Sequence, residues 1–183
     1  MNYIFDLDGT VFLNSDVALP AVKRMVKDAF DGKLLQTLKN PKNRYSEAHF
    51  QETKKRVDEG IICFADGAGK LVGSNYSAGL TNAPGESTDY KAEKFDLDDK
   101  MDLVLSTRDV ERKPNPEGLE KIIENSGKDR DSFMFVGDSL RDLIAGKRAG
   151  IRTALITRRR WIQLLADEHY RTFEQFLEEH QDR

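Results

Sequence analysis

A chain of 183 residues with 38% hydrophobic and 33% charged side chains has room for a sizeable core and suits one domain, or one core with a modest insertion. Its net charge of −3 argues against nucleic acid as the main partner, and no stretch is apolar enough to span a bilayer. Cys63 is the only cysteine, so no intramolecular disulfide can form and a cytoplasmic setting is expected. The start, MNYIFDLDGTV, lacks the basic and apolar pattern of a signal peptide.

In chain order, the β-prone run at 3–7, ended by Gly9, predicts a buried strand. Val22, Met25, Val26, Ala29 and Phe30 recur at helical spacing and predict an apolar helix face, continued weakly by Leu34, Leu35 and Leu38 until Asn40 and Pro41 break it. A more polar helix is expected over 46–59. Three glycines at 67, 69 and 73 weaken any helix there. Further strands are predicted at 77–82, 102–106, 132–137 and 153–156. Between them, Asn115 and Pro116 predict the start of a helix that buries Leu119, Ile122 and Ile123 and stops at Gly127. Leu140, Leu143 and Ile144 mark another helix, and Phe173, Phe176 and Leu177 a last one. Strands alternating with helices imply an α/β fold with an open parallel sheet covered on both faces. In such sheets the ligand crevice lies beyond the carboxyl ends of the strands.

The acidic residues fall at those ends. Asp6 and Asp8 close the first strand, Thr81 and Asn82 the second, and Asp138 follows Val136 and Gly137. Carboxylates two residues apart on an extended segment point the same way. Such a cluster repels itself unless a cation sits in it, and Mg²⁺, a hard ion that takes oxygen ligands, is the economical answer.

The hexapeptide Asp6-Leu7-Asp8-Gly9-Thr10-Val11 resembles the first signature of the haloacid dehalogenase-like superfamily, in its phosphatase branch. Thr81 with Asn82 is similar to the second motif. Lys113, in Arg112-Lys113-Pro114-Asn115-Pro116, is similar to the third. The fourth is matched by Gly137-Asp138-Ser139-Leu140-Arg141-Asp142, followed by Ala145-Gly146 and Ala149-Gly150 as in phosphoglycolate phosphatase-like and phosphomutase-like members. The resemblance implies a three-layer α/β/α, Rossmann-like core over 1–14 and 65–183, with a small helical cap at 15–64 inserted after the first strand. It also implies a hydrolase of small phosphorylated metabolites in which Asp6 is the nucleophile and Asp8 the general acid and base. Mg²⁺ would be held by Asp6, Asp138 and the backbone carbonyl of Asp8, with Asp142 orienting a water on the ion. Thr81, Asn82 and Lys113 would hold the phosphate. Asp8 argues against a dehalogenase, which lacks this second aspartate.

Two alternatives share these residues: a phosphomutase or phosphotransferase acting on a sugar phosphate, and a non-catalytic phosphate-binding regulatory module. The remaining polar features read more blandly. Gly67, Ala68, Gly69 and Lys70 suggest a phosphate loop, but Phe64 stands where its first glycine belongs and Leu71 where Ser or Thr does. Arg158, Arg159 and Arg160 read as a solvated loop, His49, His169 and His180 as surface histidines, and Cys63 as a small buried hydrophobe.

Overall fold

The computed structural model describes residues 1–33, 39–65, 68, 75–157 and 160–180. A six-stranded parallel sheet organises them. Its strands are β1 (Asn2–Asp6), β4 (Ser77–Leu80), β5 (Leu103–Leu105), β6 (Phe133–Gly137), β7 (Arg152–Ile156) and β8 (Glu168–Tyr170), in the order β5-β4-β1-β6-β7-β8. The short β2 (Phe12–Leu13) and β3 (Cys63–Phe64) form a separate antiparallel pair.

β1 is central and buried along its whole length, as a near-continuous apolar run in a parallel sheet must be. Its side chains alternate between two cores. Tyr3 and Phe5 join the cluster that holds Phe173, Phe176 and Leu177, with Phe95 packed against it. Ile4 joins Leu119, Ile122, Phe135 and Ala145 on the other face. Helices α3 (Gly85–Phe95) and α7 (Phe173–His180) therefore cover one face. Helices α4 (Glu117–Ser126) and α5 (Leu140–Arg148) cover the other, which gives an α/β/α sandwich.

Register aligns the site. Asp6 pairs with Leu80, so Thr81 lies just past the end of its strand beside Asp6. Phe5 pairs with Val136, so Gly137 is level with Asp6 and Asp138 is one residue further out. Helices α1 (Ala18–Asp28) and α2 (Pro41–Asp58) fall between β2 and β3 in the chain, pack on each other, and α2 also packs on α3. A short α6 (Arg160–Gln163) precedes β8.

Several expectations change. Asn40 and Pro41 break the helical pattern after the helical Lys39, as expected, but they also start the next helix, which begins at Pro41 and not at 46. The Asn40 side chain accepts the Asn43 N–H at 3.4 Å, and Pro41 takes a first-turn position where its missing N–H costs nothing. The predicted apolar stripe is not buried: Val22 and Val26 on α1 and Phe30 just beyond it are exposed, and Ala21 is the buried residue of that helix. After Asp28 the chain widens into a π-helical turn, Ala29–Lys33. Helix α4 starts one residue later than predicted, with Pro116 in the cap position and the Asn115 side chain accepting the Glu117 N–H at 3.0 Å. Helix α3 and strand β8 were not predicted at all. The readings at Leu34, Leu35 and Leu38, most of the glycine-rich stretch, and Arg158 and Arg159 lie outside the described residues.

Candidate active site

The carboxyl ends of β1, β4 and β6 form the floor of a cavity of about 320 Å³. Asp6, Asp8, Thr81, Asn82, Lys113, Asp138 and Asp142, the seven residues singled out in the sequence, all line it. Lys113 is 4% exposed. Its ammonium group donates to Asp6 Oδ1, to Asp142 Oδ1 at 2.8 Å and to the Leu80 carbonyl at 3.0 Å. The Asn82 side chain holds the Lys113 backbone from both sides: Nδ2 donates to the Lys113 carbonyl at 3.1 Å, and Oδ1 accepts its N–H at 2.8 Å. Asn82 thereby fixes the loop that delivers the lysine.

Asp142 also forms a capping box with Ser139, accepting that residue's N–H at 3.0 Å at the start of α5. Its carboxylate thus serves the helix and Lys113 together. Glycine makes the crowding tolerable. Gly9 has φ +91°, a left-handed conformation, and a Cβ there would lie 2.5 Å from Asp138 Oδ2. A Cβ on Gly137 would overlap the Asp142 side chain.

One oxygen from each of Asp6, Asp138 and Asp142 lies within 4.8 Å of the others. Burial drives the Asp6 carboxyl well above the ordinary carboxylate range. Lys113 opposes this, while Asp142 and Asp8 push the same way as burial. The cluster is short of positive charge. An all-oxygen donor set in that state fits a hard divalent cation, so the residues suit Mg²⁺.

Asp8 has a separate partner. The Lys91 ammonium, 1% exposed and reaching in from α3, lies 2.5 Å from Asp8 Oδ1. The Thr81 hydroxyl donates to Asp8 Oδ2 at 2.8 Å and accepts the Ala83 N–H at 3.0 Å. Burial alone would raise the Asp8 carboxyl. The charge and hydrogen bond of Lys91, helped by Thr81, outweigh it and hold the group below its ordinary value.

A wall of the cavity comes from α2 and from the loop before Lys113, through Tyr45, His49 and Arg112. The His49 Nδ1 lies 2.8 Å from the Ser87 hydroxyl of α3 and 3.3 Å from that of Thr53. Burial lowers its pKa to about 4, against a smaller opposing pull from Asp8.

Comparison with known proteins agrees with this arrangement. Residues 69–156 match the family model described as haloacid dehalogenase-like hydrolase. A 63-residue stretch is 41% identical to pyrophosphatase PpaX of Halalkalibacterium halodurans, covering 34% of this chain and 29% of that one. Another of 106 residues is 34% identical to phosphoglycolate phosphatase of Salmonella typhimurium, covering 55% and 42%. The chain thus matches less than half the length of either relative. Along its whole length it is similar in fold to a solved hydrolase from Pseudomonas syringae, with TM-score 0.78 at 20% identity and coverage of 100% and 97%. Residues 69–156 are haloacid dehalogenase-like in sequence, and the whole chain shares the fold of the Pseudomonas syringae hydrolase.

Sequence reasoning missed parts of this site and of the core behind it. His49 is not a surface histidine but a buried one that lines the cavity. His180 is buried too: its Nδ1 meets the Tyr3 hydroxyl at 2.9 Å, and its ring stacks on Phe176. The run Phe173, Phe176, Leu177, His180 carries the helical spacing that would have revealed it. Cys63 is exposed rather than buried, on the short strand β3. Lys91 went unnoticed because α3 buries Ser87, Thr88 and Lys91, and a polar buried face leaves no hydrophobic period to read.

Proposed function

We propose that this hydrolase is a Mg²⁺-dependent phosphatase that cleaves a small phosphomonoester through an aspartyl-phosphate on Asp6. The observation that carries the reading is the Asp6 carboxylate, buried at a strand end in the cavity with the Lys113 ammonium bonded to it and the Asp8 carboxyl two residues on. Asp6 and Asp138, with the backbone carbonyl of Asp8, would hold the ion, and Asp142 lies close enough to join them. When bound, the ion supplies positive charge that lets an anionic carboxylate approach an anionic phosphate.

The chain's own groups supply the rest. An Asp6 oxygen attacks phosphorus as the bond to the leaving oxygen breaks, and Asp8, which must first take up a proton that Lys91 and Thr81 disfavour in the free site, gives that oxygen its proton. Water then attacks the aspartyl-phosphate with Asp8 taking a proton back, which releases phosphate and restores the Asp6 carboxylate. Lys113 offsets charge on the transferring group, and the Asn82 N–H bonds its oxygens, joined by the Thr81 hydroxyl as it turns to them from Asp8. Residues 15–64, with α1 and α2, act as the cap that encloses the substrate. The substrate is a small phosphorylated metabolite, and the setting is cytoplasmic. Among the described residues no helix is long and apolar enough to cross a membrane.

Phosphate release from an aryl phosphate and from a panel of phosphorylated metabolites tests the reading. Excess chelator should abolish turnover, and Mg²⁺ should restore it. Ca²⁺ should support little, because it prefers more ligands in a looser geometry. Full activity in excess chelator would overturn the metal assignment.

A further inference from the structure

We propose that Tyr45, His49 and Arg112 form a subsite for a leaving group that carries its own anionic group, a carboxylate or a second phosphate. The inference rests on phosphoryl transfer at Asp6 and adds which substrates are chosen.

The three residues line the same cavity as Asp6 and Lys113. Arg112 directly precedes Lys113, so the backbone that Asn82 braces also fixes where the guanidinium emerges. Tyr45 and His49 are one turn apart on α2, with ring centroids 5.7 Å apart. Each of the three offers a donor. The His49 ring is neutral near pH 7. The Ser87 hydroxyl lies 2.8 Å from Nδ1, and in the tautomer where that hydroxyl donates, the ring's own proton is on Nε2 and available to a ligand. Burial holds the Tyr45 phenol above its ordinary pKa, so it stays protonated; Arg112, whose charge reaches both rings, opposes this. Among the described residues, neither the Tyr45 hydroxyl nor the Arg112 guanidinium has a hydrogen-bond or ion-pair partner. The nearby acid Asp16 is engaged at the start of α1, where Oδ1 accepts the Ala18 N–H at 3.3 Å.

Three donors, one of them a permanent cation, suit acceptor oxygens with negative charge, and a guanidinium can bind a carboxylate or phosphate through two parallel hydrogen bonds. The Asp6 floor takes the transferring phosphate. What remains for the wall is the other side of the scissile bond.

The test compares kcat/KM for matched substrates with Mg²⁺ present. These are 2-phosphoglycolate against 2-hydroxyethyl phosphate, 4-carboxyphenyl phosphate against phenyl phosphate, and inorganic pyrophosphate. Wild type should favour the anionic member of each pair by roughly tenfold or more, the scale of one charge-assisted contact. Arg112→Met should remove most of that preference, and Arg112→Lys should keep part of it. Tyr45→Phe and His49→Gln should raise KM for the anionic members by a few-fold each. The carboxylate and pyrophosphate arms show which anion the subsite takes. The proposal is overturned if wild type shows no preference, if Arg112→Met slows both members of a pair equally, or if Arg141→Met, at the other exposed arginine lining the cavity, removes the preference instead. Failure to hydrolyse any of these compounds would sink the phosphatase reading itself.

Discussion

The floor and the wall of the cavity differ in how their polar groups are matched. On the floor, cations are matched to carboxylates inside the chain: Lys113 with Asp6 and Asp142, and Lys91 with Asp8. On the wall, the donors of Tyr45 and Arg112 have no such partner among the described residues. A floor assembled before substrate arrives costs no reorganisation at the moment of reaction. A wall of unmatched donors is completed only by the ligand. Damage to the floor should therefore lower turnover of every substrate, and damage to the wall should change which substrates are used.

The largest effect belongs to Asp6. Asp6→Asn should leave no measurable turnover on any substrate, and no phosphoryl group should appear by intact mass after an acid quench. Asp8→Asn keeps the nucleophile but loses the acid and base. An aryl phosphate, whose leaving group needs little protonation, should then give a burst of phenol followed by slow turnover, with phosphate trapped on the protein. A trapped phosphoenzyme in Asp6→Asn instead would mean that the two roles are exchanged.

The two buried lysines divide the floor further. Lys113→Ala should lower kcat by about 10²–10³, the usual scale for one preorganised stabiliser of developing charge. It also strands Asp6 and Asp142 together in a buried site, so stability should fall by about 3–5 kcal/mol, with part regained on adding Mg²⁺. Lys91→Met should cost less in both measurements, because Asp8 keeps the Thr81 hydroxyl and is 24% exposed at its side chain. Equal losses from the two variants, by kcat and by chemical denaturation, would show that Lys91 is as deeply involved in catalysis as Lys113.

The same division explains what was legible in the sequence. Floor residues end strands, and strands announce themselves by short β-prone runs with turn residues after them; Asp6, Thr81 and Asp138 could be placed that way. Lys113 came from its motif, since no periodicity marks it. The wall and α3 bury polar side chains, so the hydrophobic period that signals a buried face is missing at His49, Ser87 and Lys91. Helix α1 errs in the opposite sense. Its apolar period is clear, yet Val26 is 46% exposed and Phe30, just past its end, 87%, because period reports helical shape and not which side the rest of the chain covers. The Asn40 and Pro41 pair was read only as a break, and the helix start that it also marks was missed for a related reason. Proline ends a helix when it follows one and starts a helix when it stands at the first turn, and only the downstream pattern separates the two.

The smallest effect concerns His49 and tests whether the wall presents a neutral donor. Burial holds its pKa near 4 in the folded chain, against 6.5 for an unperturbed histidine. Between those values the unfolded chain binds a proton that the folded chain refuses. Falling pH therefore favours the unfolded state through this residue. The stability at stake is fully present above pH 6.5 and is lost as pH falls towards 4, with a ceiling of about 3 kcal/mol for a shift of this size. His49→Gln keeps an amide near Ser87 and does not titrate, so its stability should decline less steeply over that window. Urea denaturation of both proteins at several pH values from 7 to 4.5 measures the difference. Curves that stay parallel would mean that folding leaves the His49 pKa near its ordinary 6.5, so the ring would gain a proton just below neutral pH and the wall would then carry a second cation beside Arg112.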